Sequence, residues 1–214
     1  MSPRTLIISD QKSETQDVQR GRPPVAPALM LAAADALFAG ADAPRSITMD
    51  AIADAAGVGK GTLFRAFGNR DGLLDALWAA KLSALRQAVE SDEAPLGPSV
   101  PSRERVVAFL DAILSFKLGN RHLIRAREVA PRLLQSEHYK WMHGLVQELI
   151  EDSARGATAE DAGYAAHALL AALNMELVED QLANGLSLQA IRCAQAAHAR
   201  AVIDDIGHGW CKGR

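Results

Sequence analysis

Apolar positions recur at three- and four-residue intervals through most of this chain, and no stretch alternates apolar with polar as a half-buried strand would. The spacing predicts helices only. Pro27 opens a first helix over residues 27–39, with Leu29, Met30, Ala33, Leu37 and Phe38 as its core face, and residues 40–45 form a loop. Thr48 caps a short second helix whose Met49, Ile52, Ala53 and Ala56 share one side. Gly57 supplies the left-handed residue that stops it. Val58 plugs the turn, and Leu63, Phe64 and Phe67 give a third helix an apolar underside while Lys60, Gly61, Thr62 and Arg65 face outward. A helix of about two turns does not persist alone in water. It makes sense as a small probe held by its neighbours.

Asn69 caps a long fourth helix to about residue 91, with Leu73, Leu74, Leu77, Trp78, Leu82, Leu85 and Val89 at helical spacing, a natural connector between domains. Residues 91–101, with three prolines and a glycine, read as a loop. Further helices are predicted at 102–119, 121–134, 137–154, 159–184 and 187–206, nine in all, with Pro131 bending or ending the second of these five. The last two are rich in alanine: Ala162, Ala165, Ala166, Ala168, Ala171 and Ala172, then Ala190, Ala194, Ala197 and Ala201. Small side chains let helix axes approach closely, either across a contact with a second subunit or within a monomer core.

Residues 57–67 read GVGKGTLFRAF and follow TMDAIADAA at 48–56. This segment, through residue 77, resembles the DNA-binding part of the TetR family of bacterial repressors, whose usual wording after the turn is close to GVSKGTLYHHFPSKEALL. Phe64 stands where the family prefers tyrosine, Ala66 where it often has histidine, and Gly59 where it often has serine. The phosphate contacts that the tyrosine hydroxyl and the histidine make in the family are therefore not carried over. The resemblance implies an all-α fold with an N-terminal three-helix helix-turn-helix domain and a C-terminal helical domain for ligand binding and dimerisation. The expected organisation is a basic arm at 1–24, a DNA-binding domain at 25–70 and a ligand-binding and dimerisation domain at 71–214. The implied function is a transcriptional regulator, a repressor released from a pseudo-palindromic operator by a small molecule and dimeric through its last two helices. A helical small-molecule carrier that has lost operator recognition is the alternative, made thinkable by Phe64 and Ala66. A purely structural helical hairpin is the bland one.

Charge refines this picture. The chain of 214 residues carries a net charge of −3, with +1 over residues 1–70 and −4 over the remainder. Nucleic-acid binding must then come from a local patch. The expected DNA-facing residues are Thr48, Lys60, Gly61, Thr62, Phe64, Arg65 and Arg70, together with Arg20 and Arg22. The last two sit in the string RGRP, which resembles an AT-hook core: paired arginines suit the narrow minor groove of A/T-rich tracts. An ordinary charged tail is the other reading of residues 1–24, which are polar, punctuated by prolines and expected to be disordered until DNA is present. Lys60 preceded by Gly59 does not make a phosphate-binding loop, since that motif needs glycine at position 54 and Ser or Thr at 61, which here are Asp54 and Gly61.

The six histidines offer no i, i+4 metal pair, there is no GxSxG motif, and Cys193 has no base near it in sequence. No enzyme, metal or cofactor is expected. Two cysteines are too few for a disulfide framework, and no apolar run approaches a membrane span, so a cytoplasmic protein without a membrane partner is expected. By the resemblance, the central helices enclose a small-molecule pocket. Its candidate lining is Phe109, Ile113, Phe116, Trp141, Met142, Leu145, Leu173 and Met175, with Arg127, His143 and Asn174 as polar groups.

Overall fold

The structure, a computed structural model, describes residues 26–92, 94–127, 133–154 and 156–206. Arg20, Arg22, Pro131 and Cys211 lie outside the described residues. The described chain forms ten α-helices and no strand: α1 (Pro27–Ala39), α2 (Met49–Ala55), α3 (Lys60–Phe67), α4 (Arg70–Glu90), α5 (Ser102–Gly119), α6 (Arg121–Ala126), α7 (Glu137–Ser153), α8 (Ala159–Ala171), α9 (Met175–Ala183) and α10 (Leu188–Ile206). Single 3₁₀ turns stand at Pro44–Ser46 and Leu133–Gln135.

Local chemistry sets most of the helix starts. The Thr48 hydroxyl accepts the Ala51 amide at 3.2 Å, and the Asn69 side chain accepts the Gly72 amide at 2.8 Å. Ser136 and Thr158 do the same for α7 and α8. Gly57 and Gly68 take φ of 63° and 75°, turning the chain before and after α3 where a side chain would be strained.

Two apolar cores result. The smaller gathers Met30, Ala34 and Phe38 of α1, Met49, Ile52 and Ala53 of α2, Leu63 of α3 and the first turns of α4. It also takes Leu123 and Ala126 from α6, fifty residues further along the chain. The larger is built from α5, α7, α8 and α10, and the last turn of α4 reaches it through Val89. At about 32 Å long, α4 therefore spans from one core to the other.

Three sequence expectations need correction. The buried stripe of α1 is Met30, Ala34 and Phe38, a strict i, i+4, i+8 row, and Leu29 is exposed. Within the segment 121–134, α6 ends at Ala126, and the next described residues from Leu133 form a 3₁₀ turn. The expected helix over 159–184 is two helices, which raises the count from nine to ten. Asn174 interrupts it by capping α9 through the Leu177 amide at 3.1 Å. The carbonyls left open at the break are taken from elsewhere: Gln195 of α10 donates to Ala172 O, and Lys117 of α5 donates to Leu173 O, both at 2.9 Å. The alanines divide as well, with Ala162, Ala165 and Ala166 fully buried in the larger core and Ala171, Ala190, Ala194, Ala197 and Ala201 exposed.

Polar ties hold α6 against the smaller core. The Asp35 carboxylate of α1 meets Lys81 of α4 at 2.7 Å and His122 of α6 at 2.8 Å. Burial works against this carboxylate, yet hydrogen bonds and charge from Lys81 and His122 hold it below its ordinary 3.8. A carboxylate depressed in this way stabilises the fold above its unfolded pKa, and the contribution is lost as pH falls through the folded value. Asp35→Asn is expected to lower the melting temperature at pH 7, and the wild-type advantage should shrink once pH drops below about 4. A melting difference that stays constant from pH 7 to pH 3 would show that the carboxylate charge contributes nothing to this junction.

Candidate nucleic-acid interface and effector region

Only Leu63 of α3 is fully buried, and Lys60, Gly61, Phe64, Arg65 and Ala66 all lie on its exposed side. Lys60 is paired with Asp50 of α2 at 2.7 Å, with both side chains about 60% exposed (61% and 59%). A pair so open to solvent contributes about 0–1 kcal/mol, and a phosphate can replace the carboxylate at little cost. The Lys60 ammonium also lies 5.9 Å from the centre of the Phe64 ring. Arg65 has no hydrogen-bond or ion-pair partner among the described residues. A Cβ added at Gly59 or Gly61 would meet nothing within 4 Å, so the fold itself does not require glycine at either place. Their bareness keeps the start of α3 flat and leaves its backbone open to close approach.

Arg70 is placed differently from its expected role at a DNA surface. Its guanidinium points inward: Nε donates to Ile47 O at 3.0 Å, Nη1 to Ala126 O at 2.9 Å, and Nη2 to Pro44 O and Arg45 O at 3.0 and 3.4 Å. The same group lies 5.5 Å from the Phe38 ring centre. With these donors spent on four carbonyls, Arg70 fixes the loop before α2 and the end of α6. Thr48 acts through its cap, and Thr62 is half-buried at the first turn of α3.

In the larger core, Phe109, Ile113, Met142 and Met175 are buried together, with Trp141 and Leu145 packed against them. Phe109 meets Trp141 edge to face at 5.5 Å, and the Arg86 guanidinium covers the Trp141 ring at 4.4 Å. Phe116 instead meets Trp78 of α4 at 4.9 Å. The expected polar groups are committed elsewhere: Arg127 is ion-paired to Asp75, Asn174 is the cap of α9, and His143 hydrogen-bonds Gly163 O at 3.0 Å. A cleft of about 780 Å³ lies between α5 and α10, lined by Arg103, Asp111, Leu114, Arg192, Cys193 and Arg200 among others. None of the expected ligand residues lines it. Its arginines are engaged in part, Arg103 with Asp204 and Arg192 with Asp111.

The residue that sequence reading passed over is Lys117. It interrupts the apolar run of α5 near its end, and burial pulls its ammonium from 10.5 down to about 8. A lysine two residues from a helix end reads as a solvated C-terminal cation, so only the packing of α5 against α8 and α9 exposes its position.

Comparison with known proteins agrees with this geometry. Residues 30–77 match the model of the bacterial regulatory proteins of the tetR family. An uncharacterized HTH-type transcriptional regulator of Bacillus subtilis (strain 168), YhgD, is 40% identical over 81 residues. That match spans 38% of this chain and 41% of the relative, less than half of either. A TetR-like transcriptional regulator from Rhodococcus sp. RHA1 superposes with a TM-score of 0.54 at 25% identity, covering 84% of this chain and 96% of the other. The TetR family protein ActR of Streptomyces coelicolor, solved in complex with (S)-DNPA, gives 0.54 at 21% identity, covering 86% and 89%. Residues 30–77 thus carry the helix-turn-helix segment of the tetR-family regulatory proteins, and the all-helical fold of TetR-like regulators extends over most of the chain.

Proposed function

We propose that the protein is a homodimeric transcriptional repressor that reads a pseudo-palindromic operator with α3 and leaves it when a small molecule binds. The observation that carries this reading is the outer face of α3. An eight-residue helix presents Lys60, Arg65 and bare glycine, with Arg65 unspent and Lys60 held only by an exposed carboxylate. Such a helix reads base edges near its start and contacts phosphates around them.

Release would work by linkage through α6. This helix grips the smaller core by Leu123, Ala126 and the His122–Asp35 pair, and Arg45 Nε donates to Arg125 O at 3.2 Å. On its other side, Glu179 of α9 holds Arg125 at 2.9 Å and Arg121 at 3.8 Å. An effector that shifts α9 would thus shift the mounting of α3. A ligand favouring the shifted state lowers operator affinity by its differential binding energy, typically about 1–3 kcal/mol. Two-fold symmetry requires recognition helices about 34–36 Å apart, or a multiple of that.

Lys60→Ala and Arg65→Ala are each expected to weaken operator binding by about 1–3 kcal/mol, with Arg65→Ala also relaxing base preference. Gel-shift titration against DNA upstream of the neighbouring gene tests this. Deleting residues 1–24, with Arg20 and Arg22, should flatten the salt dependence by about 0.9 per phosphate neutralised. Unchanged titrations for both point variants would remove α3 as the reader and favour the carrier reading.

The exposed alanines of α8 and α10 support a dimer through residues 159–206. Their neighbours Tyr164, Leu177 and Leu188 are also exposed in the single chain, at 68%, 46% and 38%. Ala168→Arg combined with Ala197→Glu should give monomers in sedimentation velocity. A still-dimeric double variant would move the interface elsewhere.

A further inference from the structure

Between Ala26 and Arg70 the chain carries four cations, Arg45, Lys60, Arg65 and Arg70, against four carboxylates, Asp35, Asp42, Asp50 and Asp54, so this unit is neutral. Arg70 is spent on backbone carbonyls, and Arg45 is turned toward α6, where its Nε donates to Arg125 O. Lys60 and Arg65 are left on the outer face of α3. DNA presents about one negative charge per 1.7 Å of its axis. A reader with so little positive charge is sensitive to any carboxylate beside it.

Asp50 is that carboxylate. It lies in the first turn of α2, and its two oxygens take the Lys60 ammonium at 2.7 and 2.9 Å. Among the described residues no other carboxylate is bonded to α3. The fold does not rely on this pair. Met49, Ile52, Ala53 and Leu63 set the packing of α2 on α3, Thr48 already caps α2, and both members of the pair stand open to solvent. Breaking the pair is cheap, but what it leaves behind is not. Once Lys60 turns to a phosphate, an uncompensated carboxylate stands beside the same duplex, and like charges brought together at an interface select against the wrong partner. An amine on a base edge relieves that repulsion, and cytosine N4 in the major groove is the donor that suits a carboxylate.

We propose that Asp50 is a specificity-determining residue: its carboxylate, uncovered when Lys60 turns to the duplex, disfavours DNA of arbitrary sequence and accepts a cytosine N4 amine in the operator. This rests on the reading of α3 as the operator reader and adds a residue of α2 to it. Lys60 supplies attraction to any duplex, and Asp50 makes that attraction conditional on the bases beneath it.

The test selects duplexes from a random pool with the full chain. The selected sequence and a scrambled duplex of equal length are then titrated by fluorescence anisotropy over a series of salt concentrations. Asp50→Asn is expected to bind the scrambled duplex at least about tenfold tighter and the selected one no more than about threefold tighter, so the specificity ratio falls. On the scrambled duplex its salt slope should steepen by about 0.9 per subunit, as for one more phosphate neutralised. A selection repeated with Asp50→Asn should lose a cytosine at one half-site position that the wild type keeps. Asp50→Glu retains the charge and should retain both the ratio and the cytosine. Loss of a favourable charge at the α2 start in Asp50→Asn lowers the melting temperature but cannot alter base preference. The proposal is overturned if Asp50→Asn keeps the wild-type specificity ratio or if its selection returns the cytosine intact. The reading of α3 survives that result where Lys60→Ala and Arg65→Ala weaken binding to the selected duplex. A wild-type pool that converges on no sequence, or Lys60→Ala and Arg65→Ala titrations equal to wild type, fails the reading of α3 and the proposal with it.

Discussion

The arrangement depends on one guanidinium. Arg70 opens α4, and its planar fork joins backbone carbonyls from two places far apart in sequence: the loop around Pro44 to Ile47 and the last residue of α6. An ammonium at this position has neither the span nor the directionality to serve both. Because the loop leads directly into the Thr48 cap and α2, the angle at which α2 and α3 stand is set against α6 rather than within the helix-turn-helix alone. The apolar contribution has the same geometry, since Leu123 and Ala126 complete the core that Met30, Phe38, Ile52 and Leu63 begin. α3 is therefore carried by a platform that includes a piece of chain from beyond α5.

That sharing explains how a two-turn helix becomes useful. Alone, α3 has one fully buried side chain and two glycines at or beside its start. Its stability is borrowed from Leu63 against α2, from the Gly57 and Gly68 turns, and from the α4 cap. A borrowed stability is also transmissible: whatever moves α6 moves the surface on which α3 rests. The Asp35, Lys81 and His122 cluster ties α1, α4 and α6 at the same junction, so the four helices of the smaller core and α6 have few ways to shift independently.

Local signals in the sequence predict local structure well here. Thr48, Asn69, Gly57 and the i, i+3, i+4, i+7 row of α2 belong to interactions closed within a few residues, and each reads correctly without tertiary knowledge. The break at Asn174 was illegible for the opposite reason. Asn174 sits within an apolar period that runs unbroken from α8 into α9, and the partners that make the break tolerable, Gln195 and Lys117, come from α10 and α5. Arg70 fails as a surface residue on the same ground, because all four of its acceptors lie more than twenty positions away. The alanine runs carry both meanings at once. Ala162, Ala165 and Ala166 pack inward while Ala190, Ala194 and Ala197 face out, and composition gives both groups the same letter.

The departures at Phe64 and Ala66 acquire a physical meaning on this platform. Both side chains lie on the exposed side of α3, with Phe64 38% exposed. A phenyl ring and a methyl group cannot donate to phosphate, so the charge left on this face is Lys60 and Arg65. Lys60 lies beside the Phe64 ring and against Asp50, which positions it without satisfying it fully. Phe64 thus keeps the shape of the aromatic that the family prefers, and its ring lies beside a cation where a tyrosine would also offer a hydroxyl. In the proposed function, a reader built this way leans strongly on charge, and charge-driven binding is the kind most readily weakened by salt. Under the proposed release mechanism a small displacement of α6 would have leverage on such a face, because contacts that depend on distance to phosphate have little directional bonding to resist it.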